Sequence, residues 1–586
     1  MEFVRLRGIA VSPGVAMGRV HVTEPLVFSA KRESIPPVRV KAERARLEQA
    51  VRRTRRQLSL LRSKIKKKAG QDHAFIFDAH LMILEDHTLR SSLDRIITSE
   101  KVKAEWALCQ VNAKYRRIFE SLDDDSFRQR QLDVYDVLAK IYRNLKQKRE
   151  AIAAGGKKIL VAHDLLPSEA AGRLSRGNVL GLALDMGGPT SHVAILARSL
   201  NIPTVVGLHD VTGQVKNGDY LILDGTDGEV IINPPPAVQR EFESKKQRYD
   251  NYRQELRRLA KMPSLTLDRV RFTPMANIEL PEEMALAQSL GAEGVGLFRS
   301  EFLYLQSASL PDEEDHYRVY SQLARSAYPA PVYIRTMDIG GEKSLPQLKI
   351  EQERNPALGL RAIRLSLKNR DMFRTQLRAI LRASFLRNIR LLVPMITEIE
   401  EVGEVKLLLE EIKAELRAEK VRFDQRIPLG VMIEVPAAAA LTDLLVKEVD
   451  FLSIGTNDLI QYCLAVDRSN EFVSYLYKPL HPSVLRLVKF IIETAVQAGR
   501  RVTVCGEMAA DPLSALILLG FGLREFSMNP IFIPRIKRML RAVEFRTVRR
   551  IVAQAMDLRT AQEVEEFVTE KILARHPHAF LKGGAE

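Results

Sequence analysis

With 586 residues, 46% hydrophobic and 28% charged, the chain has the composition of a soluble globular protein and the length of two to four domains, each able to bury its own core. Cys109, Cys463 and Cys505 are too few and too scattered for a disulfide framework or a zinc knuckle, no apolar run nears the roughly 20 residues of a membrane span, and Met1 to Arg5 lacks a signal-peptide layout, so a cytoplasmic protein without membrane insertion is expected. A net charge of +16 fits either an anionic partner or a solvated basic surface, and because no groove-reading motif accompanies it, nucleic acid is not an expected ligand.

Gly8 to Val22 alternates in hydrophobicity and carries three glycines and a proline, which predicts strands and a turn. The period then changes. Leu47, Val51, Thr54, Leu58, Leu61 and Ile65 step by four and three, the spacing of a long amphipathic helix. Between Lys31 and Lys68 fifteen Lys or Arg face three Glu, so the outer side of that helix is strongly basic. Gly70 breaks it, Phe75, Ala79, Met82, Ile83, Leu89 and Leu93 mark a second helix folding back as a hairpin, and more helix runs from Ala104 to Lys146.

Strand character resumes at Lys157 to Ser168 and again at Asn178 to Leu184. There follows Gly187-Gly-Pro-Thr-Ser-His192, a glycine-rich turn becoming a helix whose apolar period is Val193, Ile195, Leu196 and Leu200, with Ser191 placed to cap its first turn. A helix start offers unpaired N–H groups and positive partial charge, so an anion attached to His192 would be held there. Thr204 to Gly207, Tyr220 to Asp224 and Gly228 to Ile232 read as further strands of one compact α/β domain, and Pro234 to Pro236 mark its boundary. A charged helical linker from Ala237 to Lys261 leads to the last roughly 320 residues, compatible in size with one (β/α)8 barrel. Eight short apolar runs there fit its strands: Val270 to Ala276, Gly294 to Phe298, Val332 to Ile334, Ile389 to Met395, Leu429 to Ile433, Phe451 to Ile454, Val502 to Val504 and Phe526 to Met528.

Functional groups of such barrels project from the C-terminal strand ends. Just past the runs stand Arg299, Arg335, Glu434, Asn457, Asp458 and Cys505. Guanidinium forks for phosphate oxygens and hard carboxylate ligands for magnesium suit a phosphorylated carboxylic acid.

The His192 stretch resembles the swivelling phosphohistidine domain of the phosphoenolpyruvate-utilising enzymes at Gly187, Gly188, Thr190, Ser191, His192, Ala197, Arg198, Ile202 and Pro203. Within them the chain resembles the Enzyme I family of the sugar phosphotransferase system along essentially its whole length. Gly8 to Val22 is similar to the family's start, Phe77 to Asp86 to its carrier-docking hairpin, and Gly294 to Leu303, Ile334 to Gly341, Asn355 to Arg364, Met432 to Ala437, Ser453 to Tyr462 and Val504 to Ala509 to its barrel motifs. No large ATP-binding domain precedes His192, as a dikinase or synthase of these enzymes would need.

The resemblance implies a phosphohistidine domain at residues 1–24 and 147–233, an inserted helical carrier-binding domain at 25–146, a linker helix at 234–262 and a substrate barrel at 263–586. It implies that Arg299, Arg335 and Arg468 clamp phosphoenolpyruvate, that Glu434 and Asp458 carry Mg²⁺, that Asn457 and Arg361 assist, and that Cys505 protonates the enolate. His192 would pass phosphate to a histidine of an HPr-type carrier, and the barrel would form a homodimer. Three departures stand out: Pro189 where a basic residue is expected, Ala170 where a threonine would orient the histidine, and Gln71, His87 and Thr88 where acids would meet a basic carrier. The rival expectation is a silent scaffold that only binds partners, against which the intact set of Arg299, Arg335, Glu434, Asp458, Arg468, His192 and Cys505 argues.

Overall fold

A computed structural model describes residues 3–23, 28–69, 75–120, 125–146, 156–175, 177–188, 191–305, 309–340, 353, 355–468, 470 and 472–576. The chain folds into two compact units, residues 1–251 and residues 252–585. Gly70, Gln71, Pro189, Thr190 and Gly341 lie outside the described residues.

The first unit holds an eight-stranded sheet: β1 Val4–Arg7, β2 Ile9–Ser12, β3 Val15–Thr23, β4 Lys158–Ala162, β5 Val179–Leu184, β6 Thr204–Val206, β7 Tyr220–Asp224 and β8 Glu229–Ile232. Its order is β1-β8-β7-β3-β4-β5-β6-β2, with β3 to β6 parallel and the flanking pairs antiparallel. Alternation along β5 sends Leu182 and Leu184 into a cluster with Val193, Ala194 and Ala197, and Ala183 into the opposite cluster with Val205, Val211 and Val215. Both faces are therefore covered, as parallel strands require.

Between β3 and β4 the chain is helical: α1 Val40–Ala69, α2 Phe75–Glu85, α3 His87–Glu100, α4 Ala104–Glu120 and α5 Asp125–Leu145. Leu47, Val51, Thr54, Leu58 and Ile65 of α1 are buried, and the Thr54 hydroxyl donates to the Ala50 carbonyl one turn back, which makes its burial tolerable. The expected second helix is in fact two. Asp86 accepts from Leu89 N at 2.8 Å and caps α3, so the chain breaks between Glu85 and His87, and Met82 faces solvent at 74% exposure instead of joining the core. The strand expected through Ser168 ends at Ala162, because Pro167 opens α6 Pro167–Leu174. Helix α5 is tied to α6 by buried Asp136, which accepts from Ser168 N at 2.7 Å and Ser168 Oγ at 2.6 Å.

In the second unit β9 Thr273–Ile278, β10 Val295–Arg299, β11 Val332–Arg335, β12 Ile389–Val393, β13 Leu429–Ile433, β14 Phe451–Ile454, β15 Arg501–Val504 and β16 Glu525–Met528 form a closed parallel barrel, with β16 pairing back onto β9. Met275, Leu297, Tyr333, Leu392, Met432, Phe451 and Cys505 pack together in one buried cluster contributed by the strands and their ends. Gly430 leaves room for it: a Cβ there would sit 2.3 Å from the Phe451 ring. A much larger apolar cluster includes residues of the strands and of the surrounding helices, such as Leu377, Ile412, Val488 and Leu516.

Candidate active site

Because all eight barrel strands run the same way, the residues that end them meet at one rim. Arg299 and Arg335 are the last residues of β10 and β11, Glu434 follows β13, Cys505 follows β15, and Asn457 and Asp458 open the helix Thr456–Leu464 after β14. Arg361 immediately precedes the helix Ala362–Lys368, and Arg468 lies in the loop beyond Leu464. All eight line one cavity of about 240 Å³, together with Asp338, Gln461 and Asp467. The structure thus brings together every barrel residue picked out in the sequence.

Charge pairing sets their geometry. Arg335 is buried and reaches Glu301 Oε1 at 2.9 Å and Asp338 Oδ2 at 3.0 Å, while its Nε has no hydrogen-bond partner among the described residues. Arg361 binds Asp338 Oδ1 at 3.0 Å and Asp458 Oδ2 at 3.3 Å, and its Nη1 donates to Tyr462 Oη at 3.2 Å. Burial opposes the charge of both guanidiniums, but these carboxylates outweigh it and hold them protonated. Arg299 and Arg468 are half-exposed, against Glu279 at 3.0 Å and Glu507 at 3.3 Å. Asn457 exchanges hydrogen bonds with Glu507, accepting from its N at 2.9 Å and donating to Oε1 at 3.2 Å.

Glu434 is buried and accepts from Met395 N at 2.7 Å. Gly455 permits its approach, since a Cβ there would lie 2.6 Å from Glu434 Oε2. Burial, then the neighbouring charges of Asp458 and Asp338, push its carboxyl well above the usual range. Two carboxylates crowded in a low-dielectric wall are what a cation would relieve. Among the described residues no group of three His, Cys, Asp or Glu is arranged to hold a metal alone. Two carboxylates completed by substrate oxygens and water is the usual way magnesium is held, so the donor set fits a metal shared with a phosphorylated substrate.

Cys505 is buried, and burial pushes its thiol up to about 11, so it is protonated at neutral pH. Its Sγ lies 3.4 Å from Ser453 Oγ and 3.6 Å from the Ile454 carbonyl.

In the first unit Gly187 takes φ +104° to turn the chain after β5, and α7 His192–Ser199 begins with Ser191 accepting from Ala194 N at 3.3 Å. The predicted cap is present. The His192 side chain lies outside the description, and Ala170 is buried in α6.

Asp338, Glu301 and Ser453 are functional neighbours that strand-end position alone does not reveal. Asp338 and Glu301 sit three and two residues after Arg335 and Arg299, and that proximity of opposite charges was the signal available. Ser453 gives no such signal.

Sequence comparison adds to this geometry. Residues 253–545 match the family profile of the phosphoenolpyruvate-binding domain of phosphoenolpyruvate-utilising enzymes, residues 7–130 their N-terminal profile, and residues 155–228 their mobile-domain profile. The chain belongs to the family of phosphoenolpyruvate-utilising enzymes. The phosphoenolpyruvate-protein phosphotransferase of Geobacillus stearothermophilus is 42% identical over 96% of this chain and 97% of its own length. That of Haemophilus influenzae is 40% identical over 97% and 99%. A solution structure of an Enzyme I protein aligns at 37% identity with 42% of this chain and 99% of its own, with a TM-score of 0.36. At this likeness over nearly the full length, the chain falls among the phosphoenolpyruvate-protein phosphotransferases.

Proposed function

We propose that the chain takes the phosphoryl group of phosphoenolpyruvate in the barrel cavity onto a ring nitrogen of His192 and hands it to a histidine of an HPr-type carrier, releasing pyruvate. Arg299, Arg335 and Arg468 bind the phosphate and carboxylate oxygens, with Arg361 and Asn457 completing the clamp. The P–O bond to the enol oxygen breaks as the P–N bond forms, and the electron pair stays on the enolate. Cys505 then protonates the methylene carbon. Glu434 and Asp458 would hold Mg²⁺, which when bound supplies positive charge to the phosphate and carboxylate oxygens.

The observation that carries this reading is the convergence of eight residues, chosen from strand ends and motif likeness, on one cavity with paired arginines and carboxylates. The proposed division assigns 1–24 and 147–233 to a phosphohistidine domain, 25–146 to carrier docking, 234–262 to a linker and 263–586 to the barrel. A cytoplasmic location is proposed from the few, scattered cysteines; no helix among the described residues is long and apolar enough to cross a membrane. Association into dimers through the barrel is part of this proposal, on the family resemblance alone. Incubation with ³²P-phosphoenolpyruvate and Mg²⁺ should label the parent chain and leave His192→Ala unlabelled. Labelling of the variant at the parent's level would refute the assignment.

A further inference from the structure

Ser453 is wholly buried on β14, one strand from Cys505, and is not part of the cavity lining. It bonds the thiol. The Ser453 hydroxyl donates to Cys505 Sγ at 3.4 Å, and the thiol in turn faces the Ile454 carbonyl at 3.6 Å, a carbonyl that also accepts from Cys505 N at 3.1 Å. From the other side Asn277 Nδ2 on β9 donates to the Cys505 carbonyl at 2.8 Å, and Ser527 Oγ on β16 donates to Asn277 Oδ1 at 2.6 Å. Cys505 packs in the apolar cluster of Met275, Leu297, Tyr333, Leu392, Met432 and Phe451, while the charges of Glu434, Arg335 and Arg299, which line the same cavity, also act on its thiol. A thiolate formed in that cluster needs a donor, and Ser453 is the hydroxyl in hydrogen-bond contact with the sulfur.

We propose that Ser453 is a positioning residue for proton transfer to the enolate: its hydroxyl fixes the Cys505 sulfur and stabilises the thiolate left when the thiol has given up its proton. This rests on the reading of Cys505 as the acid. In the step, the methylene carbon takes the proton from Sγ. The C=C π electrons become the new C–H bond while the enolate oxygen closes to a ketone. The S–H electron pair remains on sulfur, and solvent water later restores the proton. Burial raises the thiol, and the Ser453 hydrogen bond works in the opposite direction, as a donor to the thiolate must.

The test is a double-mutant cycle on the full chain, with pyruvate release and KM for phosphoenolpyruvate as readouts. Ser453→Ala should slow turnover about tenfold with KM within about twofold, and should move the pH midpoint of Cys505 alkylation by iodoacetamide upward. Ser453→Thr, which keeps the hydroxyl, should recover turnover and the alkylation midpoint. In a Cys505→Ala background Ser453→Ala should cost nothing more. An equal further loss in that background means that the hydroxyl acts through the fold and not through sulfur, which overturns the inference while leaving Cys505 as the acid. Parent-like turnover in Cys505→Ala alone overturns the reading of Cys505, and the role of Ser453 falls with it.

Discussion

Asp338 shows how a single carboxylate can hold a cavity together. It pairs with Arg335 through one oxygen and with Arg361 through the other, both guanidiniums being largely buried. Removing one member of such a set strands the others, at about 3 to 5 kcal/mol. Asp338→Asn is therefore expected to lower kcat/KM for phosphoenolpyruvate at least a hundredfold and to reduce the melting temperature, both measurable on the purified protein. Glu434 sets a pH dependence. Its carboxyl is raised above the ordinary range by burial and by Asp458 and Asp338, so near and below that raised value part of the population carries a proton that a cation must displace. Mg²⁺ affinity should rise with pH across this interval with proton release, seen by calorimetry in buffers of different ionisation heat, and Glu434→Gln should abolish the proton release.

His316 gives a stability prediction at the same scale. It is buried, its Nδ1 lies 3.0 Å from Tyr320 Oη, and burial pulls its pKa down to about 4. The unfolded chain takes up this proton near pH 6.5 and the folded chain does not, so stability is lost as pH falls from about 6.5 to about 4, by up to about 3 kcal/mol. Denaturant unfolding of the barrel unit should show that loss, and His316→Gln should flatten it. The residues legible in the sequence were those standing at strand ends with groups able to touch substrate. Asp338, Glu301 and Ser453 act on other side chains, and a residue whose partner is set by tertiary pairing leaves no periodic trace in one sequence.

At the scale of elements, the barrel strands were legible to within a few residues because short apolar runs between amphipathic helices admit few other readings. The break at Asp86 was not, because the apolar spacing of α2 continues into α3 and only the cap, a local hydrogen bond, separates them. Along α1 the arginines are partly answered: Arg52 pairs with Glu48, Arg55 with Glu85 on α2, and Arg62 with Asp78. Exposed pairs of this kind contribute about 0.2 to 1 kcal/mol, so charge reversal there should leave the helices folded. If this face meets the carrier, the carrier is more acidic than one matched to an acidic hairpin. Transfer from His192 should then slow as salt rises, since charges are screened over about 8 Å at physiological ionic strength. Changing Arg52, Arg53, Arg55 and Arg56 to Glu should flatten that dependence in stopped-flow transfer assays. Unchanged carrier affinity and salt dependence would leave these arginines as solvated surface.

For the whole molecule, the proposed donor and carrier sites belong to different compact units. A fragment of residues 1–233 should accept phosphate from a phosphorylated carrier and fail to accept it from phosphoenolpyruvate, and direct labelling by phosphoenolpyruvate would place the donor site elsewhere. The strand order of the first unit also bears on synthesis. None of β1, β2 and β3 pairs with another of the three; their neighbours are β8, β6, and β4 with β7, all beginning at or after Lys158. Strand β1 ends at Arg7 and its partner β8 ends at Ile232. At a ribosomal pace of about 5 to 20 residues per second, the first strand waits roughly ten to forty-five seconds for its neighbour. During that interval the helices α1 to α5 emerge and can fold, whereas the leading strands have no partner to complete them. The nascent chain therefore carries unpartnered β strands while the roughly 225 residues between Arg7 and Ile232 are made, the kind of segment that holding chaperones bind.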